Sequence, residues 1–224
     1  MLPEPRFVAT NGVRLAVFAA KPERRTKDAC VVLRHGFPEL AASWRNQLRP
    51  LTDAGFHAMA PNMRVYGRPN GPEDHRAYSI AQTTADVAGL IADAGYERAV
   101  MVGHDFGGMV SWMMSHLQPD SVAGVITLNT PFGHSRENPV ERYTQLYGPR
   151  NYVAHFQTRE CEQKLDEDPE RSLRFFLRRD TGSGTNLSRT GRHDPDSMAY
   201  IHWLWDDEST WPGEVLIGPQ ELRY

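Results

Sequence analysis

Val100-Met101-Val102-Gly103-His104-Asp105-Phe106-Gly107-Gly108-Met109 reads as an apolar strand that passes through a glycine-flanked turn into the start of a helix. So sharp a reversal forces its central residue into a strained backbone conformation, and the small residues at 103 and 107 let neighbouring backbone close in. The residue displayed at the tip is Asp105. Aspartate is also a good helix cap, but a cap needs neither the paired glycines nor the strand before them. The pattern is therefore read as an elbow presenting a nucleophile. A carboxylate there suits attack on an sp³ carbon, forming an ester whose carbonyl carbon water can attack in turn. His104 precedes the tip, is expected to point away from a substrate, and is read as structural.

Outward from the elbow, strand and helix patterns alternate. Residues 6–10 and 13–20 flank Asn11-Gly12, a dipeptide favoured in tight hairpins, and form an opening antiparallel pair. Residues 29–33 are continuously apolar, as in a strand covered on both faces, and a loop follows over 35–43. Trp44, Leu48 and Leu51 recur at helical spacing, then 56–60 gives a strand ended by Pro61. Ile80, Thr84, Val87, Ile91 and Ala94 line one helical face, with Ser79 as cap and Gly95 as stop. A strand over 98–102 feeds the elbow; a helix over 106–117 carries Val110, Met114 and Leu117 and is closed by Pro119; a strand follows over 122–128. This order predicts an α/β fold with helices on both faces of a mostly parallel twisted sheet, whose ligands gather at the carboxyl ends of the strands. Asp105 and His35 both sit at such ends.

After Thr130 the composition turns polar, aromatic and charged, which divides the chain into a core over 1–130 and a helical cap over 131–224. Helices are expected near 159–165 and 169–179, with a loose loop over 181–185. Phe175, Phe176, Trp203, Trp205 and Trp211 are read mostly as core of this second segment.

With 224 residues, of which 40% are hydrophobic, the chain can build one substantial core with an insertion. Its net charge of −3, with both signs interspersed, leaves no electrostatic footprint for nucleic acid or an anionic membrane and favours a small neutral substrate. The N-terminus lacks a signal-peptide pattern and no apolar run is long enough to span a bilayer, so a cytoplasmic location is expected. Cys30 and Cys161 are expected as two free thiols.

His35-Gly36-Phe37-Pro38-Glu39 follows a buried strand, where an elbow enzyme places the second half of its oxyanion hole. The backbone N–H groups of Phe37 and Phe106 would stabilise the oxyanion formed when water attacks the ester, each contributing roughly 3 kcal/mol. Without the elbow, the same residues would be a plain Gly-Pro turn.

Three motifs together carry a family resemblance across residues 5–132. They are His35–Glu39 with the downstream Ser43-Trp44-Arg45-Asn46-Gln47, then Gly103-His104-Asp105-Phe106-Gly107-Gly108, then Asn129-Thr130-Pro131-Phe132. The chain resembles the epoxide hydrolases of the α/β-hydrolase superfamily. That resemblance implies an α/β-hydrolase fold with a cap, no cofactor or metal, a small apolar epoxide as substrate, and opening to a diol through an ester on Asp105. It also places His35, Pro38 and Trp44 against the substrate. In the second segment, Tyr152-Val153-Ala154-His155-Phe156-Gln157 resembles the stretch bearing one of the family's two ring-opening tyrosines, which makes Tyr152 the candidate acid: a phenol can bond the epoxide oxygen and protonate the alkoxide as the C–O bond breaks. Read without the family, Tyr152 would be a packing residue with a wet hydroxyl.

Two departures from the family stand out. After the fourth strand the usual Asp and Arg-Gly pair is replaced by Pro61-Asn62-Met63-Arg64-Val65-Tyr66-Gly67, which would strain Val65 if that position needs positive φ. The chain also stops at Tyr224, inside what resembles the cap, before the family's second tyrosine, last two strands, catalytic acid and water-activating histidine. Some relatives carry the acid just after the sixth strand, where this chain has Asn129-Thr130. None of its nine histidines has the context of the missing one; His155 and His202 are the two a cap could bring to Asp105. The expectation is an impaired enzyme that traps its ester after one turnover, with self-association through an open sixth strand. The alternatives are a haloalkane dehalogenase, against which Phe37 and Phe106 speak, and a non-catalytic fragment acting as an interaction protein. A carboxylesterase fits least, because an aspartate on an acyl carbon gives a labile anhydride.

Overall fold

The computed structural model describes residues 3–64, 66, 72, 74–133, 137–179, 204–211 and 214–215. The chain divides into two units, Met1–Gly133 and His134–Arg223.

In the first unit, β1 (Arg6–Thr10) and β2 (Val13–Ala20) form the hairpin, joined by Asn11 and Gly12 with φ of 43° and 76°, the positive values that a two-residue turn matched to strand twist requires. Then come β3 (Ala29–Arg34), α1 (Arg45–Asp53), β4 (Ala58–Pro61), α2 (Ile80–Asp93), β5 (Arg98–His104), α3 (Phe106–Leu117) and β6 (Val122–Leu128). The strands make one sheet in the order β1-β2-β4-β3-β5-β6, antiparallel through β2–β4 and parallel from β4 to β6. Alternation along β3 sorts its side chains between two cores. Cys30 and Val32 pack with Val87, Leu90 and Ile91 of α2 and with Val110 and Met114 of α3. Val31 and Leu33 pack on the other face with Trp44 and Leu48. Helices therefore cover both faces, as an α/β sheet with apolar strands demands.

Several boundaries differ from the sequence reading. Trp44 belongs to a short 3₁₀ turn, Ala41–Trp44, and not to α1. Pro50 sits inside α1 and Pro61 closes β4 from within. Pro61 is tolerated because β4 pairs with β3 only at Ala58 and Met59, so no ladder bond to β3 is lost at its end. Ser79 occupies the cap position of α2, but its side chain makes no capping bond. Gly95, at φ 77°, ends that helix.

The second unit holds α4 (Pro139–Tyr147), α5 (Tyr152–His155), α6 (Arg159–Glu167), α7 (Pro169–Phe176) and a two-stranded ribbon of β7 (Arg178–Arg179) and β8 (Glu214–Val215). The expected helix over 169–179 thus stops at Phe176 and its last residues turn into strand. The small core is Cys161, Phe175, Leu204 and Trp211, with Tyr152, Phe156, Leu165, Phe176 and Trp205 against it. Both cysteines are buried and unbridged. The expectations for Val65, Gly67, the 181–185 loop, His202 and Trp203 fall outside the described residues.

Candidate active site

Asp105 stands between β5 and α3 with φ 52° and ψ −122°, a conformation costly for a residue with a side chain and held only where its surroundings enforce it. The enforcement is a set of close backbone approaches. A Cβ on Gly103 would lie 2.2 Å from the Gly107 carbonyl oxygen, and one on Gly107 would lie 2.2 Å from that of Arg34. One on Gly36 would lie 2.5 Å from the Asp105 Cβ. These are the small residues that let β3, β5 and α3 converge.

Although Asp105 sits at the cap position of α3, its carboxylate makes no capping bond to that helix. Instead Oδ1 accepts the backbone N–H of Phe37 at 3.1 Å. Among the described residues no donor holds Oδ2. Phe106 is the first residue of α3, so its N–H has no acceptor within the helix, and its side chain is half exposed. The two expected oxyanion donors thus flank Asp105, Phe37 from the loop after β3 and Phe106 from the first turn of α3.

Two residues expected against a substrate have buried side chains. His35 is wholly buried: its Nε2 accepts the Met63 N–H at 2.9 Å and its Nδ1 lies 2.9 Å from the Gly36 carbonyl. Burial lowers its pKa to about 3, so the ring is neutral. The neighbours fix the proton on Nδ1, and the ring ties the β3 loop to the loop after β4 rather than facing a ligand. Trp44 lies in the core under β3, and among the described residues its buried indole N–H has no acceptor. Pro38 remains partly exposed in the Phe37 loop.

Other neighbours escaped the sequence reading. Tyr66 packs edge-on to His35 with ring centroids 4.9 Å apart, and burial followed by the Asp105 charge pushes its phenol up to about 12. Thr130 donates to the Asp105 carbonyl at 3.2 Å and accepts the Trp112 indole N–H through its own carbonyl at 3.0 Å. His104 is half-buried with Nδ1 3.4 Å from Glu39, which ties the residue before Asp105 to the end of the Phe37 loop. Asn62, at the position of the family's aspartate, accepts the Ala41 N–H at 2.8 Å and so anchors that loop from below. Only a residue type could hint at these contacts, because each joins segments distant in sequence.

In the second unit, Tyr152 opens α5 and packs edge-on to Tyr143 and Phe156 at 6.3 and 5.8 Å, partly buried. Asn151 caps the helix, its side chain accepting the Ala154 N–H at 3.0 Å. His155 packs against Trp205 at 4.9 Å.

Residues 30–215 match the family described as alpha/beta hydrolase fold. Epoxide hydrolase A of Mycobacterium tuberculosis is 43% identical over 179 residues, covering 78% of this chain and 54% of that protein. The AB hydrolase superfamily protein YfhM of Bacillus subtilis is 37% identical over 169 residues, covering 75% of this chain and 56% of its own length. The crystal structure of Epoxide Hydrolase A from Mycobacterium thermoresistibile superposes with a TM-score of 0.71 at 43% identity, covering 80% of this chain and 58% of that one. The chain thus spans about half the length of the curated relatives it matches.

Proposed function

The chain belongs to the alpha/beta hydrolase fold family, and from that premise we propose that it opens small apolar epoxides, with Asp105 as the nucleophile that forms an alkyl ester. Oδ2 attacks a ring carbon, the C–O bond breaks, and the alkoxide takes its proton from the Tyr152 phenol. The residues from about 131 onward serve as the cap. Pro38 lines the substrate side of the Phe37 loop.

The observation that most supports this reading is the Phe37 N–H on Oδ1. When Oδ2 becomes the ester oxygen, Oδ1 becomes the carbonyl oxygen, already carrying the donor it needs when water adds and the oxyanion forms. Collapse of that intermediate releases the diol and restores the carboxylate. Water addition also needs a base. In the first unit His35 is locked into backbone, His57 is buried against Tyr96, His75 and His116 are exposed on the surface, and His104 faces Glu39. General-base help is worth about 10² to 10⁴ in rate, so the 224-residue chain is expected to form the ester faster than it clears it.

Incubation with an aryl epoxide while diol and protein mass are both followed tests the proposal. A stoichiometric mass gain with diol release slower than ester formation is the expected result. Halide release from a brominated alkane with no response to epoxides would favour the dehalogenase reading instead.

A further inference from the structure

Arg34 ends β3 directly beneath the elbow, and its carbonyl is the atom against which Gly107 is packed. By strand alternation its side chain follows Cys30 and Val32 into the layer under α2 and α3. It is 1% exposed, and among the described residues none of its Nε, Nη1 and Nη2 atoms has a hydrogen-bond partner. A guanidinium offers five N–H donors and stays charged under all ordinary conditions, so such a group is strongly destabilising unless something meets its charge.

The nearby carboxylate cannot do so. Asp86 of α2 is spoken for by Arg64, whose Nε reaches Oδ2 at 2.9 Å and whose Nη2 reaches Oδ1 at 2.6 Å, and Asn11 adds a third bond to Oδ1 at 3.0 Å. Its field still reaches Arg34, partly offsetting the burial that lowers the guanidinium pKa to about 10. The adjacent His35 is neutral. Two arginines against one aspartate leave a single positive charge in this layer, so the matching ligand carries one negative charge. At 1% exposure the guanidinium has no open face, which selects a compact ion over an extended one.

We propose that Arg34 forms a buried binding site for a halide-sized monovalent anion between β3 and the α2–α3 layer. The site is separate from the one that carries Asp105 and does not depend on the reaction assigned there. Occupancy stabilises the folded chain by mass action, because the unfolded chain has no such site.

The test is thermal unfolding of the full chain at fixed ionic strength while sodium gluconate is exchanged for sodium chloride or bromide, beside Arg34→Met. Above the dissociation constant the midpoint should rise by about 3 to 6 °C per tenfold in halide, and Arg34→Met should lose that response. No halide-specific rise, or an equal rise in Arg34→Met, overturns the site. Should Arg34→Met fail to fold, crystals of the unaltered chain grown in bromide decide. Anomalous density within hydrogen-bonding distance of the guanidinium supports the site, and water or nothing there overturns it.

Discussion

The backbone N–H of Phe37 meets Oδ1 of Asp105 at 3.1 Å, so one oxygen of the candidate nucleophile is held while, among the described residues, no donor holds its twin. That division depends on how closely the loop after β3 approaches the elbow. Gly36 allows the approach, since a Cβ there would lie 2.5 Å from the Asp105 Cβ and 2.7 Å from Oδ1. Gly36→Ala is therefore expected to push the carboxylate off the Phe37 N–H. A displacement of this order costs about 10²-fold in rate. Single-turnover ester formation followed by mass should show that loss with the far-UV circular dichroism of the chain unchanged.

A second expectation concerns acid. Burial lowers the His35 and His57 pKa values from 6.5 to about 3 and about 4, the latter helped by the charges of Lys21, Arg6 and Arg25. Below pH 6.5 the unfolded chain takes up protons on both rings, while the folded chain does not until pH 4 and below. The unfolded state binds more protons across that interval, so stability is fully present above 6.5 and falls as the pH drops toward 4 and then 3. Melting temperatures measured from pH 7 to 4 should decline, and His57→Gln should flatten the slope.

Arg64 and Asp86 form a buried fork that joins the loop after β4 to α2, at 2.6 and 2.9 Å. Removing one partner leaves the other charge unpaired in the interior, which costs about 3 to 5 kcal/mol. Urea titration of Asp86→Asn should show a loss of that order. The paired change Arg64→Met with Asp86→Leu should recover part of it.

One of the two edges of the described sheet is β6, paired there only with β5, and its Ile126 and Leu128 are 54% and 45% exposed. An apolar strand with an open ladder invites pairing with another chain. Sedimentation of the 224-residue chain should reveal concentration-dependent association, weakened when both residues are replaced by lysine.

Much of this layout was legible in the sequence. Apolar runs fixed β3, β5 and β6, the helical period fixed α2 and α3, and the glycines around Asp105 announced the elbow, because each signal is local and repeats at the period of its element. What escaped was set by contacts between distant segments. His35 and Trp44 looked like ligand contacts by position, yet the loop after β4 and the α1 layer bury them. Nothing near Thr130 or Tyr66 in the chain could reveal that they meet the elbow. The helix α5 is a single turn of four residues, and the strand β7 depends on β8 some 35 residues on, so neither leaves a lasting pattern.

The account rests on the Asp105 carboxylate attacking carbon. Treatment of the chain with a monosubstituted aryl epoxide, followed by proteolysis and peptide mass mapping, locates the adduct. The prediction is one added epoxide mass on the peptide holding Asp105, lost on mild base treatment as an ester should be and absent from Asp105→Asn. An adduct that persists in Asp105→Asn, or that maps to another residue, would contradict it.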